Sequence, residues 1–464
     1  MPAPPRGQQP RDQEPRDPAR RAALDALLAV ELDGAYLNLE LNRLLAERGL
    51  SGRDAAFSTE LAAGTSRLQG TYDRIVGAAS GRDAERLDPP VRVLLRLGTH
   101  QLLSMRVPAH AAVASTVELA REAVGPKITG LINAVLRKVG ADDYAGWLDR
   151  LGRGLEPTAA LALRTAHPRW IVQAYADVLP AEELEPALLA NNEPAAVTLA
   201  VRPGLAEVAE LIEAGARPGR WSPYAATWQG APAELAAIRQ GRAGVQDEGS
   251  QLVAAGLAAV PINSERPQTG VWLDLCAGPG GKTALLGGLA RQSGSRLVAV
   301  EISQHRAELV RSAVRGLGPT VEVIMADGTD PAWVTERFDR VLADVPCSGL
   351  GSLRRRPESR WRREPAALNE LVPLQRRLLA AAIDAAAPGG VIGYVTCSPH
   401  RRETVEVVEA TLAERDDVET VDSTAVLAAV GLSDLPDATL GPYLQLWPHR
   451  HGTDAMFAAY LRRR

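Results

Sequence analysis

The sequence predicts a multi-domain protein in which an all-α N-terminal domain is followed by an α/β domain with a Rossmann-like, mostly parallel sheet. Three observations lead to this prediction. Up to about Gly140 apolar residues recur at helical spacing, and Gly, Pro and Asp clusters separate the segments. Beyond residue 270 short β-branched runs alternate with helical stretches, which is typical of a sheet covered by helices on both faces. A length of 464 residues leaves room for two or three such units.

Composition and charge bound the class of protein. Hydrophobic residues make up 46% of the chain and charged residues 23%, which is ordinary for a globular protein. The net charge of −4 indicates no general affinity for nucleic acid, so RNA contacts would need a local basic patch. No apolar run reaches membrane-spanning length, and the N-terminus lacks the apolar stretch of a signal peptide. We therefore expect a cytoplasmic protein without membrane association.

The N-terminal third is predicted to be helical after a disordered tail. Residues 1–18 are rich in Pro, Arg, Gln and Asp, a composition that cannot form a core. Residues 19–140 are predicted to form a compact domain of five to seven helices, with clear helical periodicity in 22–30, 91–97 and 128–136. Residues 141–154, with adjacent aspartates at 142 and 143 and glycines at 152 and 154, are predicted to be a linker.

The remainder divides into a small α/β subdomain and a larger core. Residues 155–245 mix helical patterns with one extended run at 196–201. Residues 246–464 form the predicted Rossmann-like core, with a linker at 261–269. The buried-looking strands predicted in this core are 271–275, 297–300, 321–324, 340–343 and 391–395.

A glycine-rich turn follows the first core strand, in the segment Asp274-Leu-Cys-Ala-Gly-Pro-Gly-Gly-Lys-Thr283. Such a turn lets backbone approach a ligand, and the helix after it offers free N–H groups to an anion. The segment is not a P-loop, because Cys276 stands where glycine is needed. It is not a dinucleotide fingerprint either, because Thr283 replaces the last glycine.

Acidic residues lie at the ends of the next strands. Glu301 ends the second strand, 23 residues after Gly278, where a carboxylate can accept both hydroxyls of a ribose. Asp327 follows the third strand and Asp344 ends the fourth. Because the carboxyl ends of parallel strands share one edge, these groups should face one crevice. The arrangement suits S-adenosyl-L-methionine, an adenosine with a charged amino-acid tail.

The chain has three cysteines, and two of them follow predicted strands. This number is too small for a disulfide framework, and the absence of a C-x-x-C pair argues against zinc, so no metal is expected. Cys347 and Cys397 could face one cleft, which suggests covalent catalysis with one thiol to attack and one to release.

Several segments resemble one enzyme family. The segments 276–282, 344–349 and 396–398 look like signature motifs of the RNA 5-methylcytosine methyltransferases, the NOL1/NOP2/Sun family. The resemblance continues through 191–194, 245–252 and 451–457, so it covers about residues 155–464. Segments 107–113 and 133–137 are similar to the NusB-like RNA-binding domain of one bacterial branch, which acts on small-subunit ribosomal RNA.

The resemblance implies roles for individual residues. Glu301 would hold the ribose of the cofactor, Asp327 would lie beside the adenine, and Asp344 would stand between the cofactor and the target base. The residues implied to wrap the methionine part are Cys276, Ala277, Gly278, Pro279, Gly280, Gly281 and Lys282.

The resemblance also implies which thiol attacks. Cys397 would be the nucleophile and Cys347 would help release the product. The residues alone leave that choice open, since Pro346-Cys347 looks like the nucleophile segment of DNA cytosine methyltransferases. A thiolate adding at C6 of cytosine makes C5 nucleophilic, and Asp344 could stabilise the charge that appears at N3.

A basic loop follows the Cys347 motif and is predicted to bind RNA. Residues 354–363 include six arginines and one tryptophan, which suits phosphate contacts and base stacking. The residues proposed for this role are Arg354, Arg355, Arg356, Arg360 and Trp361.

Three positions depart from the family pattern: Glu301 for the commoner aspartate, Thr404 for asparagine and Ala455 for glycine.

The predicted function is methylation of C5 of a cytosine in 16S ribosomal RNA through a covalent adduct between Cys397 and C6, by a monomeric enzyme. One alternative is the same reaction on tRNA or 23S RNA. The alternative from another class is a non-catalytic RNA-binding or antitermination factor.

Overall fold

The computed structural model describes residues 16–262, 268–330, 332, 334 and 337–464. The predicted tail therefore lies outside the described residues apart from its last three, and so does most of the predicted linker at 261–269. The contacts divide the chain into two compact units. One contains residues up to 169 together with 356–361, and the other contains 170–355 and 362–464.

The first unit is helical throughout the part that the structure describes. Asp17 caps the first helix by accepting a hydrogen bond from the backbone N–H of Arg20, and Pro18 opens the helix. Leu24, Leu94 and Leu136, from three of the periodic segments named above, are fully buried in a common core. The helices are α1 Pro18–Asp33, α2 Leu37–Glu47, α3 Gly52–Arg67, α4 Gln69–Ser80, α5 Pro89–Leu103, α6 Ala109–Ala123, α7 Thr129–Val139, α8 Tyr144–Gly152 and α9 Pro157–Thr165.

The segment predicted to be a linker is helical instead. Residues 144–152 form α8, which Asp143 caps by accepting from the N–H of Gly146. Trp147 of α8 is 3% exposed, packs in the core of the helical unit, and donates from its indole to the Val139 carbonyl at 2.9 Å. The sequence prediction was wrong here because Asp143 caps a helix and does not interrupt it.

The second unit begins with helices and a small antiparallel sheet. The strands β1 Val197–Val201, β2 Arg217–Pro218, β3 Ala225–Trp228 and β4 Ala243–Val245 pair in the order β2-β3-β1-β4. Only β1 was predicted as an extended run. The helices here are α10 Arg169–Ala176, α11 Ala181–Ala190, α12 Val208–Glu213, α13 Ala236–Arg239 and α14 Glu248–Ala259.

A nine-stranded mixed sheet in the described residues forms the centre of the second unit. Strands β5 Val271–Asp274, β6 Arg296–Glu301, β7 Val321–Met325, β8 Phe338–Asp344 and β9 Ala386–Thr396 are parallel, in the order β7-β6-β5-β8-β9. All five predicted core strands are confirmed. The sheet continues with β10 Val418–Val421, β11 Thr439–Leu440, β12 Tyr443–Gln445 and β13 Phe457–Arg463. Strand β13 pairs antiparallel with β9 on one side and with β10 and β12 on the other.

Helices cover both faces of this sheet. One core gathers side chains of α14, α15 Gly281–Gln292, α16 Gln304–Val314 and α20 Ser423–Ala429, and the other gathers α18 Leu368–Ala385 and α19 Val405–Ala413. The short helix α21 Pro448–His451 also belongs to this unit, whereas α17 Ser359–Arg362 lies, apart from its last residue, in the helical unit. Strand β5 has β6 on one side and β8 on the other, so the chain reverses its winding there and leaves a crevice at the carboxyl edge. Of the described helices, none has the length and apolar character needed to cross a membrane.

Candidate active site

The glycine-rich turn joins β5 to α15 at the carboxyl edge of the sheet. Gly280 precedes α15 and has a φ of +106°, in the region that favours glycine. A Cβ there would lie 2.7 Å from the Cβ of Ala313 and 3.0 Å from the Cα of Val310 in α16. Glycine at 280 is therefore required both by the backbone and by the close approach of α16.

Gly278 of the same turn lies against Glu301, the acidic residue at the end of β6. The buried Glu301 carboxylate accepts hydrogen bonds from the backbone N–H of Gly278 at 3.0 Å and of Ser303 at 2.9 Å. A Cβ on residue 278 would stand 2.3 Å from Glu301 Oε2. The missing side chain thus keeps this carboxylate directly beneath the turn.

Two exposed apolar side chains stand near Glu301. Ile302 follows Glu301 and is 66% exposed. Met325, at the end of β7, is the register partner of Glu301 and is 57% exposed. A carboxylate beside apolar surface matches the hydroxyls of a ribose and the flat face of an adenine. The residues at this edge therefore fit S-adenosylmethionine.

Asp327, predicted to lie beside the adenine, is exposed after β7. Its Oδ1 accepts hydrogen bonds from the backbone N–H and the hydroxyl of Thr329, both at 2.8 Å. Both bonds lower the pKa of the Asp327 carboxyl, and the bond from the backbone N–H has the larger effect. Asp327 thereby closes its own turn, and its place beside a bound adenine stays a prediction.

Asp274 is a buried acid below the turn that the sequence prediction did not include. Its Oδ2 accepts a hydrogen bond from the Thr283 hydroxyl at 2.7 Å. Burial raises the pKa of Asp274 to about 7. Burial, followed by the charge of Asp274, also raises the pKa of the neighbouring Cys276 thiol, so this cysteine stays neutral. The signal for Asp274 was available, since it ends its strand just as Glu301 and Asp344 do.

Lys282 and Asp344 form an ion pair where β5 and β8 end side by side. The Nζ of Lys282, in the first turn of α15, donates to Asp344 Oδ2 at 2.7 Å. Burial alone lowers the pKa of Lys282, but the Asp344 carboxylate outweighs burial and raises it. Lys282 was predicted to contact the cofactor, and the structure places its ammonium group on the proposed catalytic carboxylate.

The thiols of Cys347 and Cys397 meet at the ends of the neighbouring parallel strands β8 and β9. Their sulfur atoms are 3.4 Å apart. The hydrogen bond from Cys347 lowers the pKa of Cys397, and the ammonium of Lys282 acts in the same direction. The same hydrogen bond, with burial and the charges of Cys397 and Glu403, raises the pKa of Cys347. The arrangement favours a thiolate at Cys397 and a thiol at Cys347.

A buried carboxylate, Glu403, connects the two cysteine loops. Its Oε1 accepts from the Ser348 backbone N–H at 2.7 Å and from the Gln375 amide at 3.1 Å. Its Oε2 accepts from the Ser348 hydroxyl and, at 2.7 Å, from the Ser398 hydroxyl. The sequence prediction missed Glu403. The available signal was that a serine follows each of the two cysteines.

The turn after Cys397 is closed by Thr404, one of the departures from the family pattern. Its hydroxyl donates to the carbonyl of His400 at 3.0 Å. A hydroxyl therefore supports this turn where an asparagine side chain is commoner.

A second set of contacts ties the loop after Cys347 to the strand end that carries Cys397. The N–H of Gly351 donates to the Cys397 carbonyl at 2.8 Å, and the N–H of Ala455 donates to the Gly351 carbonyl at 2.9 Å. The hydroxyl of Tyr175 donates to the Leu350 carbonyl at 2.9 Å. A Cβ on Gly351 would lie 2.0 Å from the Ala455 oxygen, which explains why glycine stands there.

Two arginines predicted to bind RNA are engaged inside the second unit. Arg355 pairs with Asp247 at 2.7 Å and with Asp454 at 3.2 Å, and Arg354 lies 3.5 Å from Asp454. Burial, followed by the charge of Asp247, raises the pKa of Asp454 to about 6. These arginines join the segments 245–252 and 451–457, which argues for a structural role.

The rest of the basic loop packs within the helical unit. Arg360 is fully buried and donates to the Ala166 carbonyl at 3.1 Å. The indole N–H of Trp361 donates to the Ser66 carbonyl at 2.8 Å. A side chain held in this way cannot also grip a phosphate, so the RNA-binding prediction does not fit Arg360. Arg356 is exposed, with its guanidinium 5.3 Å from the centre of the Tyr36 ring.

Comparison with known proteins places the two parts of the chain in known families. The family described as 16S rRNA methyltransferase RsmB/F matches residues 261–462, and the NusB family matches residues 17–141. Both matches agree with the resemblance found in the sequence motifs.

Relatives match the chain along most of its length. The Mycobacterium tuberculosis protein Rv1407 is 51% identical over 96% of this chain and 96% of that protein. The ribosomal RNA small subunit methyltransferase B of Vibrio cholerae is 34% identical over 87% of this chain and 91% of that protein. The crystal structure of PH0851, at 22% identity, shares the fold with a TM-score of 0.79 over 98% of this chain and 100% of that one. The chain therefore belongs to the RsmB/F family of 16S rRNA methyltransferases, and it is an RNA methyltransferase that depends on S-adenosylmethionine.

Proposed function

We propose that this enzyme methylates C5 of a cytosine in small-subunit ribosomal RNA through a transient bond between Cys397 and C6 of the ring. The observation that carries the proposal is the sulfur pair at 3.4 Å beside the Lys282–Asp344 ion pair. Small-subunit RNA as the substrate is supported by the name of the Vibrio cholerae relative. Family membership disfavours a non-catalytic factor.

The first step needs a thiolate and a group that stabilises the negative charge developing on the cytosine ring. Cys397, with its pKa lowered by the hydrogen bond from Cys347, adds its sulfur to C6. The electron pair of the C5–C6 double bond then moves through the ring to N3. The Lys282 ammonium donates to Asp344 Oδ2, so a proton from it can reach N3 through the Asp344 carboxyl. S-adenosylmethionine, when bound, supplies the electrophilic methyl group that C5 attacks.

Release needs a base for the C5 proton. The pKa of Cys347 is raised first by its hydrogen bond with Cys397 and then by burial and the charge of that neighbour. Once the sulfur of Cys397 is bonded to C6, this bond and this charge are gone, and the Cys347 thiol ionises more readily. Cys347, or a water that it orients, can then accept the C5 proton, after which Cys397 leaves.

None of these steps requires a residue from a second copy of the chain. Cys347, Cys397, Lys282 and Asp344 all come from one polypeptide and lie within hydrogen-bond distance of one another in pairs. This supports a monomeric enzyme. We place its action in the cytoplasm, where ribosomal RNA is matured in bacteria.

Trapping with 5-fluorocytosine RNA tests the chemistry, because fluorine at C5 cannot leave as a proton and the adduct persists. We expect a covalent complex at Cys397 in the wild-type enzyme and none in Cys397→Ala, which should lose turnover while binding S-adenosylmethionine normally. Active enzyme that leaves residue 397 unmodified would refute the mechanism.

The substrate requires a separate measurement. Bisulfite sequencing of RNA from cells with and without the gene should show one cytosine of 16S RNA that loses its methyl group. Loss confined to tRNA or 23S RNA would replace the proposed substrate by one of those alternatives.

A further inference from the structure

Glu403 is a fully buried carboxylate whose charge is not neutralised by a nearby cation. In the described part of the chain, no lysine, arginine or histidine nitrogen lies within 4.0 Å of its oxygens. Burying a lone charge is unfavourable unless hydrogen bonds replace the lost water. Glu403 obtains four: two from Ser348, one from Ser398 and one from Gln375. Such an arrangement is stable, because the four hydrogen bonds replace the lost water, and a charge kept in the core in this way calls for an explanation.

The bonds of Glu403 reach both thiol loops at matching positions. Ser348 follows Cys347, and Ser398 follows Cys397. Both hydroxyls converge on the same oxygen, Oε2, and lie 3.0 Å from each other. Residues next to the two sulfur atoms are thus fixed to one rigid group, which limits how far the thiols can separate.

The other oxygen of Glu403 strengthens this connection. Gln375 donates to Oε1 and also to the carbonyl of Pro346, at 2.9 Å, directly before Cys347. The phenol of Tyr394 donates to the Glu403 backbone carbonyl at 2.7 Å. The carboxylate is therefore anchored from both sides and cannot follow a movement of either loop.

The charge of Glu403 also acts on the two thiols unequally. It is one of the causes that raise the pKa of Cys347, whereas it is not among the leading causes for Cys397. Lys282 favours the anion at Cys397, whereas the Asp344 carboxylate next to Lys282 opposes it. The Glu403 carboxylate, bonded to the residue after Cys347 by two hydrogen bonds, therefore disfavours an anion at Cys347 in particular.

We propose that Glu403 is a positioning residue of this reaction: through Ser348 and Ser398 it holds the thiols within hydrogen-bond distance, and its charge keeps the proton on Cys347 so that Cys397 is the thiolate. The inference rests on the proposed function, in which Cys397 attacks. Glu403 is fully buried, and it acts through the cysteine loops.

Alkylation of the full-length protein by iodoacetamide, without RNA or cofactor, tests the charge. Peptide mass spectrometry from pH 6 to pH 10 gives a rate for each cysteine. In the wild type Cys397 should react faster than Cys347. In Glu403→Gln, which keeps the shape and removes the charge, the ratio of the two rates near pH 7 should fall about tenfold, the factor that corresponds to one pKa unit. Glu406→Gln removes an exposed charge three residues later and should leave the ratio unchanged.

Kinetics separate positioning from general stability. Glu403→Gln should lower kcat by about tenfold or more and leave KM for RNA and S-adenosylmethionine unchanged. Glu403→Asp keeps the charge but cannot span both serines, so it should keep the alkylation preference and still lose turnover. If Glu403→Gln does not fold, Ser398→Ala replaces it. That variant should slow Cys397 alkylation at pH 7, because the loop of Cys397 is no longer held where its sulfur contacts the Cys347 thiol.

Two results would overturn the inference: a folded Glu403→Gln with the wild-type alkylation ratio, or a wild type in which Cys347 reacts faster than Cys397. The 5-fluorocytosine experiment stays independent of both. A wild type that forms no RNA adduct contradicts the proposed function, whereas a normal adduct with an unchanged ratio contradicts only the role of Glu403.

Discussion

At the scale of single residues, identical side chains have different chemistry because of their neighbours. Cys276 stays neutral beside Asp274, whereas Cys397 is favoured as a thiolate beside Cys347 and Lys282. Sequence motifs placed Cys347 and Cys397 in one crevice but gave no reason for Cys397 to be the thiol that attacks. The structure supplies that reason through their contact, with the sulfur atoms 3.4 Å apart, because this contact lowers the pKa of Cys397 and raises the pKa of Cys347.

The release role of Cys347 leads to a first prediction. Cys347→Ser keeps a small hydroxyl that cannot serve as a base, so attack by Cys397 should proceed while loss of the C5 proton slows. We expect a protein–RNA adduct that survives a denaturing gel and turnover reduced by at least tenfold. The double variant Cys347→Ser/Cys397→Ala should show no adduct. A clean gel with normal turnover in the single variant would rule out the release role.

Asp274 gives a prediction about pH. Its pKa of about 7 in the folded protein, against 3.8 as the ordinary value, means that the folded state holds the proton to a higher pH than the unfolded chain. The stability that this neutral carboxyl provides is therefore present below about pH 4 and is lost as the pH rises towards 7. The full shift corresponds to about 4 kcal/mol.

The comparison to measure is Asp274→Asn against the wild type. Because an amide does not ionise, the variant should gain thermal stability relative to the wild type as the pH rises from 4 to 7. Asp434→Asn, an exposed acid-to-amide change, serves as the control and should show no such trend. A constant difference in melting temperature between Asp274→Asn and the wild type would contradict the burial of a neutral acid.

At the scale of elements, the most restrictive contact is the one at Gly351. A Cβ there would meet the Ala455 oxygen at 2.0 Å and the Cys397 oxygen at 2.9 Å, and both are backbone atoms. Gly351→Ala should therefore displace the strand end that carries Cys397 and lower kcat by at least tenfold. Gly130→Ala, at an exposed helical position with open space around it, should keep full activity. Full activity in Gly351→Ala would show that this loop can move without affecting the thiol.

Elements with strong local patterns could be predicted from the sequence, and elements that depend on distant pairing could not. Strands β5, β6, β8 and β9 are buried along most of their length and contain continuous apolar runs, whereas the edge strand β7 is partly exposed and was recognised from its β-branched residues. Strands β2 and β4 are two and three residues long, and their side chains carry no alternation to recognise. Helix α8 was mistaken for a linker because its capping aspartates resemble a turn.

At the scale of the whole molecule, sequence reasoning succeeded for residues whose position follows from the strand that carries them. Glu301, Asp344 and the two thiols all lie at the carboxyl edge of one sheet, and strand order brings them together. Glu403 and the arginine pairs escaped prediction because their partners are remote in sequence. Asp247 and Asp454 neutralise Arg354 and Arg355 across about 100 residues, so a run of arginines did not reveal its own partners.

Trp361 allows the two interpretations of the basic loop to be compared. It packs on Gly70, where an added Cβ would lie 2.3 Å from its ring, and its indole bonds to Ser66. Trp361→Ala should therefore lower the free energy of unfolding by about 2 kcal/mol, with RNA affinity unchanged at temperatures where the variant is folded. Trp361→Phe, which keeps the ring, should lose less stability. Wild-type stability with weakened RNA binding in Trp361→Ala would restore the original RNA-contact prediction.

The position of strand β13 in the chain affects the order in which the site is assembled during synthesis. It flanks β9 and is made later than β9 as the ribosome adds residues. Until β13 emerges, the strand that ends at Cys397 exposes an open edge that could pair with another nascent chain. The pairing that completes the strand end beside the reactive sulfur is therefore made only after synthesis has passed residue 457.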